Sequence, residues 1–159
     1  MTTFFSTNYN NFYISNKRTK MTLYELIHNI LDIAKTKPNI NYVNEGDIYE
    51  LNNLPNINYG VFYVTQDRHQ INENTARYTL NLFYVDRLLD DGSNRLIIQS
   101  NGIEAITNIV NHLVLKEDVD VAYPLNFTPF YQRFADECSG VFATITFIVD
   151  APIGICSYE

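Results

Sequence analysis

The stretch "ARYTLNLFYVD", residues 76–86, alternates with a period of two. Tyr78, Leu80, Leu82 and Tyr84 share one side, while Arg77, Thr79, Asn81 and Phe83 share the other. That period belongs to a pleated strand, whose successive side chains point to opposite faces. Upstream, "YGVFYVT" (59–65) has the same β-branched and aromatic character. The polar "QDRHQINEN" between them reads as a long hairpin connection, and "DIYEL" (47–51) is a candidate for a further short strand.

The chain closes on "SGVFATITFIVDAPIGICSYE", residues 139–159. Val141, Ala143, Ile145, Phe147 and Val149 form one face, and Phe142, Thr144, Thr146 and Ile148 the other. With both faces largely apolar, 139–150 predicts an interior strand that closes the core. One face goes under a helix layer, and the other under a neighbouring subunit or the chain's own loops. Pro152 and Gly154 then turn the chain into an apolar tail carrying Ile153, Ile155 and Tyr158. Another strand is expected at about 124–132, where Pro124 and Pro129 mark it as an edge or irregular strand.

Two helices complete the pattern. Thr22 and Glu25 are spaced as a capping box. Leu23, Ile27, Ile30, Leu31 and Ala34 then recur at helical spacing until Pro38, which predicts a helix over about 22–36. After the turn "DDGSN" (90–94), with Ser93 or Asn94 as cap, the second helix draws its apolar positions from Leu96, Ile97, Ile103, Ile106, Ile109, Val110 and Leu113. Gly102 weakens its middle by about 1 kcal/mol relative to alanine, which leaves room for a kink or a two-piece helix. The order is α-β-β-α-β-β. It predicts an α+β fold: an antiparallel sheet of about four strands with two helices packed on one face. Residues 1–20 form an extended N-terminal arm and 21–159 a single domain.

The chain has 159 residues and a net charge of −7, unevenly spread. Lys17, Arg18 and Lys20 give the first 20 residues +3 with no acid, which leaves −10 on the remainder. An acidic body argues against nucleic-acid binding, since phosphate contacts need clustered cations. No apolar run approaches the ~18 residues of a membrane helix, and the polar-aromatic N-terminus lacks a secretory h-region. Synthesis in the cytoplasm is therefore expected, with Cys138 and Cys156 as reduced thiols and the sequon at Asn126 unused. The arm holds Phe4, Phe5, Tyr9, Phe12 and Tyr13 without helical or strand period. It reads either as a solvated tail or as a segment that orders against a neighbouring subunit.

The sequence contains no phosphate loop, dinucleotide fingerprint or zinc motif. If Gly92 took position 6 of a calcium loop, positions 1 and 3 would be Arg87 and Leu89, which cannot ligate calcium. His28, His69 and His112 fall on different elements, so nothing pairs them with Cys138 as a nucleophile needs. Asp90–Asp91 and Glu117–Asp118 read as solvated loop carboxylates. No catalytic, cofactor-binding or metal-ligating residue is expected. Twelve tyrosines and ten phenylalanines point toward assembly, because large aromatics are favoured at interfaces as well as in cores.

Three stretches together, "MTLYELI" (21–27), "YTLNLFYVDRLLDDGSNRLIIQSNGIEAI" (78–106) and "DECSGVFATITFIVD" (136–150), resemble tailed-phage head–tail neck proteins of the tail terminator or tail-completion type, particularly those of crAss-like phages. The resemblance covers roughly residues 21–150. It implies a structural virion protein of the neck or tail, a subunit of a closed ring with no catalytic residue. Its partners would be copies of itself and adjacent portal-proximal or tail rings, with DNA passing through the lumen without specific binding and no membrane involved. A tail-tube or other adaptor ring, or a small ligand-binding or host-modulating domain, are the alternatives. The intersubunit contacts expected are Phe4, Phe5, Tyr9, Phe12, Tyr13, Lys17, Arg18 and Lys20 in the arm and Ile153, Ile155 and Tyr158 in the tail.

Overall fold

The computed structural model describes residues 18–53, 57–133 and 137–152. Helix α1 (Leu23–Lys35) begins at the expected cap. The Glu25 amide donates to Thr22 Oγ1 at 3.2 Å, and the Thr22 amide donates to Glu25 Oε2 at 2.7 Å. Two of the helix's orphan amide donors are thereby satisfied reciprocally. Leu26, Ile27, Ile30, Ile33 and Ala34 are buried, with Leu23 and Leu31 at the margins of the stripe.

The sheet differs from the expectation in size, order and strand direction. It has six strands: β1 (Tyr42–Glu45), β2 (Val61–Ile71), β3 (Thr75–Arg87), β4 (Asp120–Val121), β5 (Phe127–Arg133) and β6 (Glu137–Asp150). They are arranged β1-β2-β3-β6-β4, with β5 also pairing β6. β1 lies parallel to β2 and the other pairings are antiparallel, so the sheet is mixed, not a four-strand antiparallel one. The two additional strands are short, four and two residues. Neither is long enough to develop a period of two, and each adds to an edge that longer strands have already built.

Two further corrections concern 47–74. "DIYEL" begins a 3-10 helix, Ile48–Asn53, instead of a strand. Asp47 Oδ1 accepts from the Tyr49 amide at 3.0 Å, an aspartate turn that bends the chain where a strand would have to extend. The polar segment 66–74 is not a long connection. β2 runs on to Ile71, and the Asn72 amide donates to the Thr75 carbonyl at 2.8 Å across a tight turn. Pairing with β3 satisfies the backbone here, and backbone pairing does not require apolar side chains.

Helix α2 (Arg95–Lys116) is one continuous 22-residue helix and is not divided in two at Gly102. Its Asn94 does not cap it by a side-chain bond. Instead Asn94 Oδ1 accepts from the Leu89 amide (3.0 Å) and its Nδ2 donates to the Arg87 carbonyl (3.1 Å), stitching the β3–α2 turn. Both helices cover the same sheet face. Under them lie Phe62 and Val64 of β2, Ala76, Tyr78, Leu80, Leu82 and Tyr84 of β3, and Val141 to Val149 at alternate positions of β6. β6 sits inside the sheet, flanked by β3 on one side and by β4 and β5 on the other. Pro129 lies in β5, at the margin of the sheet, where its missing amide breaks no ladder.

Candidate assembly surfaces

The helix-free face of the sheet divides into an apolar and a polar half. In the apolar half, Val61, Tyr63, Val85 and Cys138 are buried, and Tyr42 and Ile48 of the 42–50 segment pack against them together with Ile57 and Tyr59. The Tyr63 hydroxyl donates to the Asp47 carbonyl at 3.1 Å and to Glu50 Oε2 at 3.3 Å, tying that segment down. Burial, then the Glu50 carboxylate, push this phenol up to about 12, so it stays a neutral donor at ordinary pH. Tyr84, on the opposite face, is also pushed up to about 12, by burial and then Asp86, and its hydroxyl donates to the Asn39 carbonyl.

Beside this covered patch, three rings remain half-buried. Phe83 stacks on Phe142 with centroids 5.2 Å apart, and Phe130 meets Phe83 edge-on at 6.2 Å. Further along the same strands the face turns polar. Thr144 Oγ1 donates to Asn81 Oδ1 (2.6 Å), Asn81 Nδ2 donates to Thr65 Oγ1 (3.2 Å), and Thr79 and Thr146 share a 2.9 Å hydrogen bond. These cross-strand pairs hold the sheet surface without needing a cover.

On the other side of the molecule, α2 carries a second apolar line. Leu96, Ser100, Ile103 and Thr107 follow at helical spacing and line a groove of about 480 Å³ with Gln99 and Glu104. Leu96 is 72 % exposed, Ile97 63 % and Ile103 41 %. All three were expected among the apolar positions of this helix. The buried stripe keeps the expected Ile106, Ile109, Val110 and Leu113 and adds Ile98, Gly102 and Ala105. The sequence held a signal for this: 95–116 is apolar around more of its circumference than one buried face requires.

Of the expected contact residues, Phe4, Phe5, Tyr9, Phe12, Tyr13, Lys17, Ile153, Ile155 and Tyr158 lie outside the described residues. Arg18 and Lys20 are placed, and they root the arm on the sheet. Arg18 Nε donates to Asp120 Oδ2 at 2.8 Å. The Thr19 amide donates to the Asp118 carbonyl at 3.2 Å, and the Asp150 amide donates to the Thr19 carbonyl at 2.9 Å. Lys20 bridges Asp150 in parallel. Residues 18–20 therefore run beside β4 and the end of β6.

The titratable groups stay dispersed. His28 packs against Tyr24 on α1 with the two rings tilted and their centroids 4.1 Å apart, and His112 is exposed on α2. His69 on β2 bonds Gln66 at 3.2 Å and meets Tyr78 edge-on. Cys138 is buried among Val61, Tyr63 and Val85. Among the described residues, no three His, Cys, Asp or Glu side chains gather as a metal site would require. No helix among them is long and apolar enough to cross a membrane. No protein-family model matches the chain, and no curated protein matches it.

Proposed function

We propose that this chain is a ring-forming structural subunit of a phage head–tail neck, of the tail terminator or adaptor-ring type, assembled around the DNA channel. The observation that carries the reading is the presence of two different apolar surfaces on opposite sides of a two-layer subunit. One is the outer line of α2 with Leu96, Ile97 and Ile103; the other is the Phe83–Phe130–Phe142 cluster on the helix-free face. A head-to-tail contact uses two unlike patches and closes into a ring when the rotation between copies allows it. A dimer made by a single self-complementary patch would leave one of these surfaces in water.

Magnitudes favour several contacts acting together. Fully burying one leucine or isoleucine contributes about 1.5–3 kcal/mol, while association costs about 4–15 kcal/mol in lost freedom. The α2 line alone would not hold a stable ring; with the aromatic cluster and the arm it could. The acidic body suits the wall of a DNA channel, because negative charge repels phosphate and lets the duplex slide. Portal-proximal and tail rings would be the neighbours above and below, in the virion.

Native mass spectrometry of the purified chain tests the reading. A single closed oligomer of more than two copies supports it, and a monomer at micromolar concentration sinks it.

A further inference from the structure

Among the described residues, the outer edge of β2 is incompletely paired, and a cavity lies on each side of it. β1 pairs with β2 only from Tyr42↔Val61 to Glu45↔Val64, so β2 overhangs from Thr65 to Ile71. Among the described residues, no strand pairs with this overhang on the side away from β3. The Val64 carbonyl points outward, since it accepts from the Gly46 amide at 3.1 Å. By the alternation of a strand, the amide and carbonyl of Gln66 point the same way. On the helix side of this edge, Tyr24, Ile27, His28 and Leu31 of α1 overhang Glu45 and Gln66 around a cavity of about 390 Å³. On the other side, Gly46, Asp47 and Ile48 line a second cavity of about 410 Å³ with Thr65 and Gln66.

An extended peptide laid along such an edge gains backbone hydrogen bonds and sends alternate side chains to either side. Two neighbouring aromatics would therefore place one ring in each cavity. Residues 1–17 contain two such pairs, Phe4–Phe5 and Phe12–Tyr13. We infer that the β2 overhang and its two flanking cavities receive the aromatic arm, residues 1–17, of a second copy of this chain. This rests on the ring reading above and names the contact that links successive subunits.

Position, length and charge choose this occupant. The arm leaves at Arg18, held by Asp120 of β4, whereas the receiving edge is at β1–β2; the strand order puts these at opposite edges of the sheet. Where the α2 line of one subunit meets the aromatic cluster of the next, an arm leaving one edge must cross that interface to reach the neighbour's receiving edge. At ~3.3 Å per residue an extended arm of this length reaches about 55 Å, enough to cross an interface and lie along the neighbour. Residues 1–17 carry Lys17 and no acid, while Glu45 and Asp47 stand at the two cavities. The bulge between Gln66 and His69 limits how far the added strand can pair, so the aromatic rings must supply much of the hold.

The test co-assembles two full-length chains. One carries a benzophenone photo-cross-linker in place of Gln66; the other is unmodified and labelled with heavy isotopes. Cross-links from position 66 to heavy peptides of residues 1–17 are the expected result. Replacing Phe4, Phe5, Phe12 and Tyr13 by serine in the heavy chain should lower their yield at least tenfold. Cross-links only within the light chain would place the arm on its own subunit and overturn the inference. Cross-links to any other region would overturn it as well. A defined oligomer with no arm cross-link removes this contact while leaving the ring reading standing, whereas a monomer removes both.

Discussion

Gly102 of α2 lies so close to Val141 of β6 that a Cβ on it would come within 2.6 Å of Val141 Cγ2 and 2.9 Å of Tyr84 Cδ1. The glycine is the seat of the helix on the sheet. Helix propensity alone favours alanine there by about 1 kcal/mol. Val141 and Tyr84 are both fully packed, and overpacking costs about 1–3 kcal/mol. Gly102→Ala should therefore destabilise the domain in a urea titration despite its better propensity, and Gly102→Leu should destabilise it much further. A stabilised Gly102→Ala would mean that the helix can lift off without cost.

The exposed line of α2 gives the opposite expectation. Leu96, Ile97 and Ile103 contribute little to the subunit's own core, so replacing them with serine should change its unfolding free energy by no more than about 0.5 kcal/mol each. The triple variant should nevertheless shift the chain toward monomer in analytical ultracentrifugation. An unchanged oligomer would remove α2 from the interface.

The start of α1 makes a pH-dependent contribution. The Thr22 amide, then the Thr22 hydroxyl, hold the Glu25 carboxyl below its ordinary value of 4.5. A depressed folded-state value means stability that is present above 4.5 and lost as pH falls through the lower folded value. Wild type should thus exceed Glu25→Gln in thermal stability near neutrality, and the difference should shrink below pH 4.5. Thr22→Ala should cost about 1 kcal/mol through the lost cap. If Glu25→Gln tracks wild type across the whole range, the carboxylate contributes nothing to the cap.

At the root of the arm, the Arg18–Asp120 pair is partly exposed, which limits it to about 1 kcal/mol or less. Arg18→Ala should leave the global melting temperature nearly unchanged. Hydrogen exchange at the Asp150 amide, which donates to Thr19, should quicken by about 2- to 5-fold. Unaltered protection there would show that the backbone bridge holds without the ion pair.

The parts of this fold legible in the sequence are those where one local rule acts alone. Thr22 and Glu25 cap their helix through a contact three residues long, and β3 and β6 alternate because a single face of each goes under the helices. What the sequence concealed depends on partners distant in the chain. Tyr42–Glu45 and Asp120–Val121 are strands only because β2 and β6 offer them an edge. Asp47 decides against a strand at 47–51 through one side-chain hydrogen bond. Leu96 and Ile103 could not be separated from core positions by apolarity, since Gly102 and Ala105, two of the smallest residues in α2, mark the face that approaches the sheet. Arg18 and Lys20 were expected as intersubunit contacts, whereas within the subunit Arg18 meets Asp120 and the Lys20 backbone bridges Asp150, partners more than a hundred residues away that no local pattern marks.

Negative-stain electron microscopy of the purified full-length chain tests the central claim most directly. The account predicts closed rings of uniform diameter with an open lumen, and their loss in the Leu96, Ile97 and Ile103 serine variant. A field of single compact particles at concentrations where the chain is soluble would contradict it.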